Sequence, residues 1–235
     1  MTPERRGGIR PSTLPRIGAL ALVFALALAV ASFWRPAWGL IYYVPKLNGA
    51  FAKMHADPLL IEALREQNEQ LASKSQEWAA DQDRLWRIER LCGGGSLQRA
   101  VMSKPSSRHL REFVDASGGL ISHALLIDEK GRVAAEPYPS YNFDQARKPK
   151  FYYTFRRGAG ARDISWIERS ADGSHPVCWR AETMVDPASG RPIGTLALEV
   201  NYDMAGSFGC AEQPVHTEQE RATNRVESGI SDGAF

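Results

Sequence analysis

Between Ala124 and Asp203 the chain alternates β-prone runs with polar turns, and this pattern constrains the fold more than any other stretch. Residues 124–133 read Ala-Leu-Leu-Ile-Asp-Glu-Lys-Gly-Arg-Val, an apolar run, a polar turn centred on Gly131 and a second β-prone run. Asp128 and Gly131 supply the chemistry of a tight reversal, so a hairpin is predicted. Asp186-Pro187-Ala188-Ser189-Gly190 is a second turn, followed by a β-branched strand from Ile193 to Val200. Between these units, Pro137 to Arg157 is rich in aromatic and basic residues. A sheet with one elaborated loop over its face is a binding architecture more often than a catalytic one.

Asp57 and Pro58 form a helix start, with Asp as the cap and Pro in the first turn. The helix is expected to run to about Leu91, with a break near Ser73-Lys74-Ser75. Leu64, Leu71, Trp78 and Leu85 recur every seven residues, but their companions Asn68, Ser75 and Gln82 are polar, which argues against a strong coiled coil. The stripe is read as a helical layer on the sheet, with a homodimer seam as the alternative. Gly93-Gly94-Gly95 is a turn, since it lacks the Lys-Ser/Thr ending of a phosphate loop. Residues 96–122 give another helix, with Leu110, Phe113 and Val114 on one face, ended by Gly118-Gly119. Strands are predicted at 123–128, 132–136, about 163–168, 176–185 and 193–201. Five short antiparallel strands after helices imply an α+β fold with helices on one side of the sheet.

The N-terminal part reads differently. Residues 1–16 form a leader with Arg5, Arg6, Arg10 and Arg16, and Ile17 to Trp34 is 18 residues without a charge. That is enough for a marginal transmembrane helix. The four Arg before it, against Arg35 and Lys46 after it, put the N-terminus in the cytoplasm. Trp34, Trp38, Tyr42 and Tyr43 fall where an interfacial aromatic belt would lie. Ala29-Val30-Ala31 offers a cleaved signal peptide as the rival reading. The apolar and aromatic character continuing through Val44 favours an uncleaved anchor at 17–34. Residues 35–56 are read as an amphipathic connector, 57–203 as a single domain, and 204–235 as a polar, disordered tail. No second span or signalling segment is read after the domain.

Formal net charge is +2; without the first 34 residues the chain holds 25 basic and 26 acidic residues. No global basic field points to nucleic acid. Cys92, Cys178 and Cys210 have no metal-like spacing and are read as three unconnected side chains. One disulfide with a leftover thiol stays open, Cys92 with Cys210 being the pair that would tie the domain's ends together. The five histidines include no HxxxH or HExxH pattern, so no metal site is expected. His123 and His175 are read as ordinary surface or satisfied side chains. Ser96 and Ser117 lack a G-x-S-x-G elbow, and Asp128-Glu129 is turn chemistry. No catalytic constellation emerges, so the chain is not read as an enzyme, and no cofactor is implied.

The ordered series Leu-Leu-Ile-Asp-Glu-Lys-Gly-Arg-Val-Ala (125–134), a Tyr/Asn/Phe/Gln loop, Lys-Phe-Tyr-Tyr-Thr-Phe (150–155) and Val-Asp-Pro-Ala-Ser-Gly-Arg-Pro-Ile-Gly-Thr-Leu (185–196) resembles the Cache family of extracytoplasmic sensors over about residues 55–204. The resemblance implies a PAS-like, PDC-type five-stranded antiparallel sheet with long N-terminal helices, here preceded by one transmembrane helix. It also implies a ligand pocket over the sheet, lined by Tyr141, Asn142, Phe143, Phe151 and Tyr152, with Trp179 and Asp203 reaching in from later strands. The family's acidic Gln-Gly-Asp-Glu stretch is replaced by Gln145-Ala146-Arg147-Lys148, a charge reversal that favours an anion and adds Arg147 to the candidate ligand-binding residues. The Arg-x-Trp-Tyr arrangement of amino-acid-binding members is absent, since Arg147 lies four residues before Phe151. The reading is a single-pass protein of the bacterial inner membrane with its main domain in the periplasm. It binds a small organic anion and signals through a separate membrane or periplasmic partner. The alternative is a docking or accessory subunit of an inner-membrane complex.

Overall fold

The computed structural model describes residues 39–170, 172–205 and 210. The leader, the 17–34 anchor and nearly all of the 204–235 tail lie outside the described residues. Among the described residues, no helix is long and apolar enough to cross a membrane.

After a π-turn at Gly39–Tyr43, helix α1 spans Val44–His55, α2 Pro58–Gln70 and α3 Gln76–Leu91. The start of α2 is the predicted one. The Asp57 carboxylate accepts from the Leu59 N–H at 2.9 Å, and Pro58, which has no N–H to leave unpaired, takes the first turn. The Ser75 hydroxyl accepts from the Trp78 N–H at 3.2 Å and starts α3, so the Ser73–Ser75 break separates two helices. The connector at 44–55 is helical, and its Leu47, Phe51 and Met54 are buried in the core. Residues 96–122 form two helices and the start of a strand instead of one helix, α4 at Ser96–Met102 and α5 at Pro105–Ala116. Pro105 is the reason, because it removes an N–H and pushes Lys104 out of helical backbone.

The strands are β1 Ile121–Asp128, β2 Val133–Ala135, β3 Arg162–Ile164, β4 Glu168–Arg169, β5 Pro176–Val185 and β6 Pro192–Asn201. They pair antiparallel in the order β2-β1-β6-β5-β3, with β4 beside β5, so the predicted 163–168 strand is split in two. Two four-residue helices follow the loops, α6 at Pro149–Tyr152 and α7 at Tyr202–Ala205. The α+β class and the antiparallel sheet are as expected.

The expectation that helices cover one side of the sheet is corrected. Side chains alternate across a strand, and here both sets are apolar. Ala124, Leu126, Leu196, Leu198 and Val200 join Leu47, Phe51, Leu60, Leu64 and Leu110 in one cluster. Leu125, Ile127, Ala181 and Ala197 join Trp86 of α3, Val101 of α4, Phe143 and Phe151 in a second. Helices therefore contribute to both layers.

The β1–β2 turn holds more than turn chemistry. Asp128 and Arg132 are both buried; the carboxylate accepts from the Lys130 and Arg132 backbone N–H groups and, at 2.7 Å, from Arg132 Nε. Gln67 of α2 donates to the same carboxylate at 3.2 Å. Gly131 has φ 86°, and a Cβ there would collide with the Ala146 backbone, so the turn and the following loop pack without a side chain between them. Gly194 lets β6 pass Ile127 O and Leu64 as closely.

The cysteine expectation is also corrected. Cys178 of β5 is bonded to Cys210, and Cys92 is the exposed free thiol. Cys178 and Cys210 are far apart in sequence but are brought together by β5 and the chain beyond α7, which no spacing rule reveals.

Candidate functional site

Over the second face of the sheet lies a cavity of about 630 Å³. Its residues come from His123 and Leu125 of β1, Trp179 of β5 and Glu199 of β6. Arg90 of α3, the loop at Pro139–Asn142, Lys148–Lys150 and the 165–170 segment complete it. The size falls within the range of small-molecule sites.

The loop is pinned by side chains of the helices beneath it. Asp83 of α3 accepts from the Phe143 and Asp144 N–H groups at 2.8 and 3.1 Å. Trp86 Nε1 donates to Ser140 O at 2.8 Å. Arg111 of α5 donates to Pro137 O from Nε and Nη2 at 3.1 and 2.6 Å. Glu136, fully buried at the end of β2, accepts from the Ser140 N–H at 3.0 Å. These four anchors come from three elements, so the cavity wall is preorganised instead of assembled by a ligand.

Two cations in the cavity rest on aromatic faces. Lys150 Nζ lies 3.3 Å from the Trp179 ring centroid, and the Arg90 guanidinium 4.0 Å from that of Tyr141. Neither has a carboxylate within 4.0 Å among the described residues. Burial lowers the Lys150 ammonium to about 8, with Glu168 and Glu199 opposing the shift. Burial pushes Glu136 up to about 8 and Glu199 above its ordinary value. His123 is lowered to about 4, first by burial and further by Lys150 and Arg90, so its ring is neutral near pH 7. Its Nε2 must donate to Tyr138 O at 2.9 Å, because a carbonyl only accepts. That leaves Nδ1 as an acceptor with no hydrogen-bond partner among the described residues. The reading of His123 as a surface or satisfied side chain is thereby corrected.

Of the residues singled out from the sequence, Tyr141, Asn142 and Trp179 line the cavity. Phe143 and Phe151 are buried in the second apolar cluster and belong to the packing beneath it. Tyr152 does not line the cavity and holds Arg156 over its ring at 4.8 Å. Arg147 is exposed on the turn before α6, and Asp203 is exposed in α7; neither lines the cavity. The cationic role falls to Arg90 and Lys150. Lys150 was within reach of the sequence, since it precedes Phe151 in the turn started by Pro149, but Arg90, His123 and Glu199 come from distant elements.

No family model matches the chain. No curated protein matches it. Among solved structures, it is similar to the sensor domain of the V. cholerae histidine kinase DctB, at 16% identity, covering 64% of this chain and 60% of that one with a TM-score of 0.34. It is also similar to the ligand-binding domain of the Campylobacter jejuni chemoreceptor Tlp3 in complex with L-valine, at 12% identity, 66% and 63% coverage and a TM-score of 0.34. A third is the ligand-binding domain of the Pseudomonas fluorescens chemoreceptor CtaA in complex with L-serine, at 12% identity, 53% and 58% coverage and a TM-score of 0.31. The chain spans about three fifths of the length of the solved chains it matches. The first of these is a histidine-kinase sensor domain and the other two are chemoreceptor ligand-binding domains.

Proposed function

We propose that the chain is a sensing domain that binds a small organic anion in the cavity over its sheet and does not turn it over. The observation that carries this reading is the pair Arg90 and Lys150, two cations facing one cavity without an ion-pair partner among the described residues. Glu168 and Glu199 line the same cavity and act on Lys150, but neither lies within 4.0 Å of it. A shielded cation without such a partner is costly, and an anionic ligand would offset that cost. The Arg90 guanidinium lies 4.0 Å from the Tyr141 ring centroid, and its N–H fork is the geometry that suits a carboxylate. The PAS-like sheet and the preorganised loop support the same reading. In this proposal residues 17–34 anchor the chain in the bacterial inner membrane, residues 1–16 are cytoplasmic and the 57–203 domain is periplasmic. The signal passes to a separate partner, and the ligand acts only through different affinity for two conformations.

Titration calorimetry of the purified full-length chain against small mono- and dicarboxylates tests the reading. Saturable binding that is lost in Arg90→Gln and in Lys150→Gln, with both variants folded, is expected. Binding unchanged by both substitutions would overturn the site. A second reading, a docking or accessory subunit, draws on the exposed ridge of Leu85, Ile88 and Leu91 along α3. Charge substitution on that ridge would abolish co-purification with a membrane complex and leave carboxylate binding intact if both properties coexist.

A further inference from the structure

Lys150, like Arg90, meets the cavity from an aromatic face, and of the two it is the primary amine. Its ammonium sits on the Trp179 ring face, and it makes no hydrogen bond or ion pair to another side chain among the described residues. Arg90, on the α3 wall, lines the same cavity. The cavity that both residues line measures about 630 Å³, small enough for one ligand to meet both, and Glu168 and Glu199 of the same lining act electrostatically on Lys150. One small molecule can thus present a carboxylate to the guanidinium and an electrophilic carbon to the amine.

We infer that the ligand class is a 2-oxo acid, whose carboxylate is held by Arg90 and whose ketone carbon is captured reversibly by Lys150 as a Schiff base. This rests on the anion-binding reading of the same cavity. The uncharged Nζ adds its lone pair to the ketone carbon, and the C=O π pair moves to oxygen, which takes a proton. The resulting carbinolamine loses its hydroxyl as water, and the C=N bond forms. One water is released and one imine gained, with no oxidant or reductant. The amine is available because burial lowers it, so that at pH 7.5 about a quarter is uncharged. The protonated imine is again a cation, and the Trp179 face that now holds the ammonium would hold it as well.

The full-length chain is incubated with pyruvate, 2-oxobutyrate or 2-oxoglutarate, reduced with borohydride, and mapped by peptide mass spectrometry. A single reduced adduct on Lys150 is expected for at least one of the three. Its yield rises as pH goes from 6 to 8. It is competed by excess of the matching 2-hydroxy acid, which keeps the carboxylate and lacks the ketone. Lys150→Arg, checked for folding by circular dichroism, removes the adduct. Arg90→Gln lowers trapping of the 2-oxo acid by at least about tenfold but leaves trapping of propanal, which has no carboxylate, unchanged. Adducts spread over many lysines with no excess at Lys150 would overturn the inference. If calorimetry then still shows saturable, Arg90-dependent carboxylate binding, the anion reading stands without the covalent step. Absence of both adduct and binding overturns both.

Discussion

Two shielded cations in this domain have opposite company. Arg132, in the β1–β2 turn, is almost fully buried and meets the buried Asp128 carboxylate at 2.7 Å and Leu71 O at 3.1 Å. Lys150 borders a cavity, rests on Trp179 and has no carboxylate within 4.0 Å among the described residues. A buried charge with a good partner is structural, because removing either side strands the other. A shielded charge facing open space without a partner is disposed for something that arrives from solution. The contrast separates the part of the fold that holds the hairpin from the part that offers a site.

The sharpest way to break this contrast is Asp128→Ala. It leaves Arg132 buried and unpaired, and should cost about 3–5 kcal/mol in urea unfolding. A loss under about 1 kcal/mol would mean that the pair is not what holds the turn. Next in size is the Cys178–Cys210 bond, which closes a sequence separation of 32 residues. Cys178→Ser, or reduction of the wild type, should remove about 3–4 kcal/mol on the chain-entropy account. If neither changes the melting midpoint, the stability of β5 comes from packing alone.

Two pH experiments sharpen the contrast further, with opposite signs. Glu136 is raised from its ordinary 4.5 to about 8 by burial. The folded chain therefore binds more protons than the unfolded chain between those values, and stability falls as pH rises from 4.5 to 8. Glu136→Gln should flatten that slope by about 1–3 kcal/mol. Lys150 is lowered from 10.5 to about 8, so its penalty is full below pH 8 and relieved between 8 and 10.5. Lys150→Met should raise stability at pH 7 by about 1–3 kcal/mol, with the gain closing over that upper window. A loss of stability at pH 7 would show that Lys150 is structurally paired after all. The smallest effect is expected at Tyr141, which is 68% exposed. Tyr141→Ala should change stability by no more than about 0.5 kcal/mol. It should weaken anion binding about three- to fivefold, through loss of the cation–π contact with Arg90.

Much of the scaffold was legible from short-range chemistry. Asp57-Pro58 and the Ser75 break act within one helical turn, and Gly131 and Asp186 act within one reversal, so neighbouring residues suffice to read them. The site was legible only in part. The aromatic loop was read as a pocket, but rings close in sequence divide between layers, with Phe143 and Phe151 in the core and Tyr141 at the surface. Arg147 drew notice for its charge, yet its neighbours Lys148 and Lys150 are the cations of that turn that border the cavity.

The sequence by itself determined the α+β class, the two hairpin turns and the starts of α2 and α3, because these depend on contacts a few residues apart. Tertiary structure alone decided that both sheet faces are covered, that Cys178 pairs with Cys210, and that Arg90, His123, Lys150 and Glu199 share one cavity. Those outcomes depend on strand register and on which face of the sheet each side chain takes. A shift of one residue in register would reverse every side chain's face. No local pattern in the chain encodes that choice.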